Sequence, residues 1–292
     1  MGRGVLRPAL AAERFALTRL EPSPELRPFV DFYWILRWDL RGQPAHEQTI
    51  LPHPDVNLSF EGSAGEGFAG IYGVDRKLFT RSLTGQGKAL GVRFRPGGFR
   101  PFWGAPVSQL TDRVVPAGEV FGAAAEDTRK LIMAAAAANA AVAAGGAAGG
   151  AAAVAASVAA SAAQEDARMA GHAEALLRSV LPDRDPAAEQ AAALVTSIIS
   201  DPALRRVDQV AEASGLTPRT LQRLFSDYVG VSPKWVMRRS RLHEAAQRAD
   251  SGDPVDWAEL AAGLGYADQA HLTRDFTATL GVSPTRYSGP TR

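Results

Sequence analysis

The chain contains no cysteine, and this absence excludes disulfide bonds, thiolate metal ligands and cysteine nucleophiles together. It also has almost no net charge, because 32 basic residues stand against 31 acidic ones, so any surface that binds nucleic acid must be a local one. The N-terminus lacks the sustained apolar run of a secretory signal. These absences favour a cytoplasmic protein, and the length of 292 residues suggests about two domains.

Residues 131–165 have very few large apolar side chains, and Ala and Gly dominate them. No charged residue lies between Lys130 and Glu165, so length alone would permit a membrane span. However, the residues that drive membrane insertion are nearly absent after Ile132, and the glycines within 145–150 would break a helix. We therefore predict a low-complexity linker, partly helical in its Ala runs, and no membrane contact.

The linker separates two regions of different character, which predicts an α+β protein with two domains. Residues 15–130 are predicted to be mainly β, with a barrel-like or sandwich-like fold. Their clearest strand pattern is the alternation of apolar and polar positions at Leu90, Val92 and Phe94. Residues 166–292 are predicted to be entirely helical.

Aromatic residues are concentrated in two segments of the N-terminal domain, FYWILRW and FRPFW. Most of them are expected to form the core. Because alternate positions of a strand face the interior of a barrel, some could instead line a small-molecule effector pocket with an arginine as polar anchor. The candidate residues for that pocket are Trp34, Trp38, Arg93, Arg95 and Trp103.

The same domain offers little support for catalysis or metal binding. His46, Glu47, His53 and Asp55 are potential metal ligands, but they lack a compact ligand spacing, and prolines flank His53. There is no Gly-x-Ser-x-Gly nucleophile motif, and GQGKALG at 85–91 lacks the Lys-Ser/Thr of a phosphate-binding loop. We expect no enzymatic activity, no metal and no cofactor.

The most informative pattern is an internal repeat. The segment AEASGLTPRTLQRLFSDYVGVSP, from Ala211, aligns with AAGLGYADQAHLTRDFTATLGVSP, from Ala261. The offset changes from 50 to 51 residues between the two turn glycines and the following leucines, so the second copy has one additional residue in its turn. Small residues that allow close helix contact, followed by a turn glycine, are typical of a helix-turn-helix motif.

Helical spacing divides each second helix of the repeat into a buried apolar face and an exposed polar face. The exposed faces carry Arg, Gln and Thr, which can contact base edges in the major groove. A solvated helix surface is the alternative interpretation, above all for the arginines of the helix at 233–249 that joins the copies. The candidate DNA-binding residues are Arg219, Thr220, Gln222, Arg223, Arg238, Arg239, Gln269, Thr273 and Arg274.

Charge is distributed unequally between the two copies. From Arg219 to Arg248 there are seven basic residues against two acidic ones, whereas from Ala249 to Asp275 one arginine stands against six acidic residues. Because phosphate neutralisation dominates affinity for duplex DNA, we expect the first copy and the joining helix to supply most of the affinity.

Residues 194–288 resemble the DNA-binding domain of AraC/XylS-type transcriptional regulators. The resemblance is carried by VAEASGLTPRTLQRLF, by GVSPKWVMRRSRLHEAAQRA, and by GYADQAHLTRDF followed by GVSPTRY. It implies two helix-turn-helix motifs joined by a long helix, with base contacts from the exposed face of each second helix. Ala270 departs from the pattern, because a polar residue often stands there. The N-terminal half resembles, less specifically, the sensor regions that precede such domains.

These observations predict a bacterial-type transcriptional regulator that binds double-stranded DNA sequence-specifically, without enzymatic activity. An N-terminal domain that binds an effector or self-associates would modulate it. A small-molecule effector, RNA polymerase and a second copy of the chain are the further partners consistent with this prediction. Two alternatives remain: a constitutive DNA-binding regulator whose N-terminal domain only mediates protein contacts, and a β-barrel enzyme with an appended DNA-binding domain.

Overall fold

The computed structural model describes residues 4–63, 66–143, 151–201 and 203–288, and it shows a β-rich N-terminal region followed by helices. All described strands precede residue 117, as the strand patterns predict. The strands are β1 (Phe15–Leu20), β2 (Val30–Leu40), β3 (His46–Ile50), β4 (Asn57–Ser63), β5 (Glu66–Tyr72), β6 (Phe79–Leu83), β7 (Gly85–Phe94) and β8 (Val114–Pro116).

Short α-helices flank or connect the strands, and further helices follow them. The short ones are α1 (Pro8–Ala12), α2 (Arg100–Trp103) and α3 (Gly118–Phe121). The others are α4 (Ala124–Ala143), α5 (Ala151–Ser179), α6 (Pro186–Ser200), α7 (Val207–Ala213), α8 (Pro218–Leu224), α9 (Pro233–Asp250), α10 (Trp257–Gly263), α11 (Gln269–Leu280) and α12 (Pro284–Tyr287). No helix of the described ranges is long and apolar enough to cross a membrane.

Two antiparallel sheets build the N-terminal domain in a sandwich-like arrangement. The larger sheet has the order β1-β2-β7-β4-β5-β8, and β3 pairs with β6 in the smaller one. Successive side chains of a strand point to opposite faces. On β2, Tyr33 and Ile35 therefore enter the main hydrophobic core, whereas Trp34 and Leu36 face a cavity between the two sheets.

Helices α4 and α5 pack together against the core face of the larger sheet, which corrects the predicted linker boundaries. Ile132 is completely buried, and α5 contributes Met169, Ala173 and Leu177 to the core of the β domain. These three side chains follow a helical spacing and give the helix an apolar face despite its Ala-rich start. The N-terminal domain thus includes part of the predicted linker and extends to the end of α5. The glycines of 145–150 lie outside the described residues.

A buried cluster of ion pairs connects α5 to the larger sheet. Glu165 and Asp166 are 4% and 2% exposed. Arg37 on β2 bonds to Asp166 and lies 3.2 Å from Glu165, while Lys88 on β7 lies 2.6 Å from Glu165. Because buried carboxylates are tolerated only when they are paired, these contacts fix the position of α5 on the sheet.

The C-terminal domain confirms the predicted double helix-turn-helix. Helices α7 and α8 form the first motif, α10 and α11 form the second, and α9 connects them. The turn glycines Gly215 and Gly265 have positive φ values of 66° and 74°, a conformation that other residues rarely adopt. Two residues separate Gly215 from α8 and three separate Gly265 from α11, as the repeat offset predicts. A π-helical turn, Phe225–Val229, continues α8.

Substitution of Arg37 by Met should destabilise the protein by about 3 kcal/mol, because it leaves buried carboxylates without one of their cations. Urea denaturation followed by circular dichroism measures this change. The matched control is Arg41→Met, since Arg41 forms an exposed pair with Asp39 on the same strand end. Equal shifts of the two unfolding midpoints would contradict the structural role of the Arg37 cluster.

Candidate nucleic-acid interface and internal cavity

The first candidate recognition helix, α8, presents its polar face to solvent. Thr217 caps it by accepting a hydrogen bond from the Thr220 amide at 3.2 Å, and its hydroxyl also lies 2.9 Å from the Thr220 hydroxyl. Arg219, Gln222 and Arg223 are exposed, whereas Thr220 is half-buried. The predicted positions therefore lie together on one free surface.

The second candidate recognition helix, α11, has the equivalent arrangement. Asp268 caps it by accepting a hydrogen bond from the His271 amide at 2.6 Å. Gln269 and Arg274 are exposed and Thr273 is half-buried, so these three predicted residues also share one accessible face.

A buried carboxylate fixes α11 against the connecting helix α9. Asp275, on the inner face of α11, is 7% exposed. It bonds to Arg238 of α9 and accepts a hydrogen bond from the Tyr266 hydroxyl at 2.8 Å. Burial, followed by the bond to Asp275, raises the pKa of Tyr266. Arg238 thus positions the second recognition helix, and it keeps enough exposure for an additional phosphate contact.

Arg239 occupies a different environment from its neighbour, and this position corrects the expectation that it faces DNA. It is 5% exposed, its Nη2 donates to the Arg76 carbonyl oxygen at 2.7 Å, and its guanidinium lies over the Trp235 ring. Burial, followed by the charge of Arg238, lowers the pKa of Arg239 to about 10. Adjacent helical residues point about 100° apart, so one arginine contacts the second motif while the other contacts the N-terminal domain.

A basic groove of about 540 Å³ runs between α9 and α11. The basic residues in its lining are Arg205, Lys234, Arg238, Arg241 and Arg274. Arg205 precedes the first motif and carries no recognisable signal in the sequence, so only the fold brings it to this groove. The groove provides positive charge directly beside the second recognition helix.

Several acidic residues between Ala249 and Asp275 make contacts within the C-terminal domain. Asp256 and Asp268 cap helices, Asp275 is buried, and Asp250 accepts a hydrogen bond from the Tyr287 hydroxyl at 3.1 Å. The unequal contribution of the two motifs to DNA affinity stays a prediction. The basic groove adds positive charge beside the second motif that the charge count along the chain does not show.

The cavity of the N-terminal domain lies between its two sheets and has a volume of about 240 Å³. Trp34, Trp38 and Arg93 line it together, as the effector-pocket hypothesis requires. Arg95 and Trp103, the other two candidates, do not belong to the lining. Trp103 instead packs at the margin of the main core, below the opposite face of the larger sheet.

Glycines on β7 allow the two tryptophans to lie against the sheet. Gly91 pairs with Trp34 and Gly87 pairs with Trp38 across the β2–β7 ladder. A Cβ atom at either glycine would overlap the indole of its partner. The Trp34 indole donates to Asn57 at 3.1 Å, and the Trp38 indole donates to the Thr84 carbonyl oxygen at 3.0 Å. The aromatic wall of the cavity is therefore held in a defined orientation.

A loop between β3 and β4 joins the cavity to the connecting helix. Pro52 and His53 line the cavity. The Pro52 carbonyl oxygen lies 3.0 Å from His243 Nε2, and the His53 ring stacks on the His243 ring with a centroid distance of 3.9 Å. The same two residues therefore contact both the cavity and α9.

Further contacts attach the N-terminal domain to both motifs. The Thr111 hydroxyl donates to the Gly230 carbonyl oxygen at 2.6 Å, beside the first motif. Val74 enters the hydrophobic core of that motif, and Leu51 enters the core of the second. The N-terminal domain thus contacts α9 and the elements at both of its ends.

The four potential metal ligands of the N-terminal domain do not come together in the fold. His46 and Glu47 lie on β3, His53 stacks on His243, and Asp55 pairs with Arg93 at 2.6 Å. Within the described ranges, no three His, Asp or Glu side chains come together in an arrangement that could hold a metal ion.

Two family models match the chain. Residues 210–289 match a family described as a helix-turn-helix domain, which is the class that the geometry of α7 to α12 defines. Residues 18–116 match a family described as a domain of unknown function, DUF6597. The two matches coincide with the two regions that the structure separates.

Three sequence relatives match 81 to 84 residues of the chain. Over 82 residues the chain is 30% identical to the probable transcription factor PqrA of Proteus vulgaris, a match that covers 28% of this chain and 66% of PqrA. Over 81 residues it is 32% identical to the HTH-type transcriptional activator AarP of Providencia stuartii, covering 28% of this chain and 59% of AarP. An HTH-type transcriptional regulator of Mycobacterium tuberculosis is 33% identical over 84 residues, which are 28% of this chain and 31% of that protein. The chain therefore matches less than two thirds of the length of these relatives.

Solved structures resemble the chain only distantly. ToxT from Vibrio cholerae covers 94% of this chain and 98% of its own with 10% identity and a TM-score of 0.39. The C-terminal domain of AraT, a response regulator from Geobacillus stearothermophilus, covers 36% of this chain and 84% of its own with 24% identity and a TM-score of 0.32. The family match places a helix-turn-helix domain in the C-terminal region, in agreement with the helices of the structure.

The pH dependence of stability should report on the His53–His243 contact. Burial, followed by the neighbouring His53, lowers the pKa of His243 well below 6.5. The unfolded imidazole gains a proton below about pH 6.5 while the folded one stays neutral, so stability is present above that pH and is lost as the pH falls. The loss attributable to His243 is at most about 1.4 kcal/mol per pH unit.

Urea unfolding at pH 7.5 and pH 5.5 tests this prediction with the variant His243→Gln, which keeps an amide donor but cannot titrate. The variant should lose less stability between the two pH values than the unaltered chain. His271→Gln is the control, because His271 is exposed. The same pH dependence in the unaltered chain and His243→Gln would refute the assignment.

Proposed function

We propose that this protein is a transcriptional regulator that binds double-stranded DNA sequence-specifically. The observation that carries the proposal is the pair of exposed recognition faces on α8 and α11, fixed at the two ends of one connecting helix. Both faces present Arg and Gln, and Arg can pair with guanine and Gln with adenine in the major groove. The names of the sequence relatives, all transcription regulators, support this conclusion.

In the proposed complex the two recognition helices enter successive major-groove segments on one side of the duplex. Such segments lie about 34 Å apart, one helical turn of DNA. The connecting helix α9 has 18 residues and is therefore about 27 Å long, which matches this separation to within the reach of the side chains. The basic groove between α9 and α11 would neutralise the phosphates that run between the two segments.

The N-terminal domain would regulate DNA binding through its contacts with α9. It contacts that helix at His243 and Arg239, and it contacts the elements at both ends of α9. A ligand in the cavity that moves Pro52 or His53 would alter the same contacts. RNA polymerase and a second copy of the chain are further partners of the proposed regulator.

Selection from a randomised duplex pool tests the proposal with the full chain at fixed salt. The expected result is enrichment of a bipartite sequence with half-sites about ten base pairs apart. Enrichment of one half-site alone would indicate that one motif supplies most of the sequence-specific affinity, and the charge distribution predicts that this is the first motif. No enrichment, at a salt concentration that permits specific binding, would refute sequence-specific recognition.

Arg223→Ala should weaken binding to the selected site by about 1–3 kcal/mol and relax the base preference at one position of the first half-site. A base contact has this effect because its loss removes discrimination as well as affinity. Fluorescence anisotropy on the selected duplex and its single-base variants measures both quantities. The control is Arg41→Ala, since Arg41 lies in the N-terminal domain and forms an exposed pair with Asp39. A uniform loss on every duplex would assign Arg223 to a phosphate instead.

A further inference from the structure

The cavity between the two sheets has the features of a built binding site. Its aromatic wall is formed by Trp34 and Trp38, and each indole occupies the space that a glycine leaves open on the neighbouring strand. The surface opposite the larger sheet comes from β3 and β6, with Ile50, Phe79 and Leu83. Two apolar walls, one of them flat and rigid, favour a planar apolar molecule over a branched one.

Two arginines give this cavity a donor-rich polar end. The Arg19 guanidinium lies 4.2 Å from the centre of the Phe32 ring and the Arg93 guanidinium lies 5.2 Å from it. Burial, followed by the charge of Arg93, lowers the pKa of Arg19. Within the described residues, Arg19 forms no ion pair, although the charge of Asp31 opposes the lowering of its pKa. Arg93 Nε lies 3.7 Å from an Asp31 carboxylate oxygen, and its buried N–H makes no hydrogen bond. The Arg19 guanidinium and the Arg93 Nε–H, at the same end of the cavity, can therefore donate hydrogen bonds to an acceptor group of a ligand.

The acidic side chains of the lining are less available to a ligand. Asp55 lies 2.6 Å from Arg93 Nη2 and accepts a hydrogen bond from Asn57 at 2.9 Å. Glu61 bonds to Arg81 and accepts hydrogen bonds from Tyr72 at 3.1 Å and Ser59 at 3.0 Å. Asp75, the third acidic residue of the lining, has a pKa raised by burial and by the neighbouring Asp112. Asp55 and Glu61 are thus occupied by their partners, whereas the arginine end of the cavity can receive an anionic group.

We propose that the cavity binds a small molecule with a flat apolar ring system and one carboxylate, the ring against Trp34 and Trp38 and the carboxylate at Arg19 and Arg93 Nε. Charge-assisted hydrogen bonds to arginine are stronger than neutral ones and would fix the orientation of the ligand. The ligand class itself rests on the cavity alone. An effect of the ligand on DNA binding rests on the proposed function. It would pass through Pro52 and His53, which line the cavity and contact α9.

Isothermal titration calorimetry of the full chain, without DNA, tests the proposal with four probes. The probes are 2-naphthoate, its neutral analogue 2-naphthamide, the cation 2-naphthylmethylammonium, and decanoate as a flexible anion. We expect 2-naphthoate to bind best, and loss of its charge to weaken binding about tenfold or more. Tighter binding of the amide, the cation or decanoate, or no binding of 2-naphthoate at millimolar concentration, would overturn the proposal.

Two variants locate the bound probe. Arg19→Met should weaken 2-naphthoate binding about tenfold while 2-naphthamide binding stays nearly the same, whereas Arg41→Met, outside the cavity, should change neither. Gly91→Ala should weaken both probes, because the added methyl group displaces the Trp34 indole, and circular dichroism checks that the variant is folded. Unchanged 2-naphthoate binding in Arg19→Met would overturn the site assignment. Since no DNA is present, these results are independent of whether the chain recognises an operator.

Discussion

The structure of the C-terminal half depends on the packing of one helix, α9. Its first half supplies Val236 and Met237 to the core of the first motif, and its second half supplies Leu242 and Ala246 to the core of the second. Because side chains of one rigid helix serve both cores, the two recognition helices cannot move independently without opening a hydrophobic core. The distance and orientation between the two recognition surfaces are therefore properties of α9.

The N-terminal domain contacts this helix near its centre. Arg238 and Arg239 are adjacent, yet the first secures α11 and the second is buried beneath the N-terminal domain. Burying a guanidinium is costly, and the Arg76 carbonyl oxygen and the Trp235 ring offset part of that cost. Four residues along, on the same side of α9, His243 contacts the loop that walls the cavity. A small displacement of that loop would thus be transmitted to a rigid element.

The parts of the fold that local sequence determines could be predicted, and those that depend on long-range register could not. The turn glycines and the extra turn residue of the second motif are local features, and the structure has both. Burial of Arg239 depends on how two domains meet. The grouping of Trp34, Trp38 and Arg93, without Arg95, depends on the pairing of β2 with β7, which are separated by about 45 residues in the chain. Sequence periodicity also cannot show which domain an Ala-rich helix joins, and α5 joins the β domain through Met169 and its neighbours.

Helix α9 should hold the two recognition helices at a fixed spacing. This spacing can be tested by binding the full chain to duplexes in which the two selected half-sites are moved apart. With half-site centres about ten base pairs apart both helices face the same side of the duplex, and an insertion of about five base pairs turns one half-site to the opposite side. We expect this insertion to reduce the affinity to that of a single half-site. Equal affinity for both duplexes would show that the two motifs bind independently and that α9 does not fix their spacing.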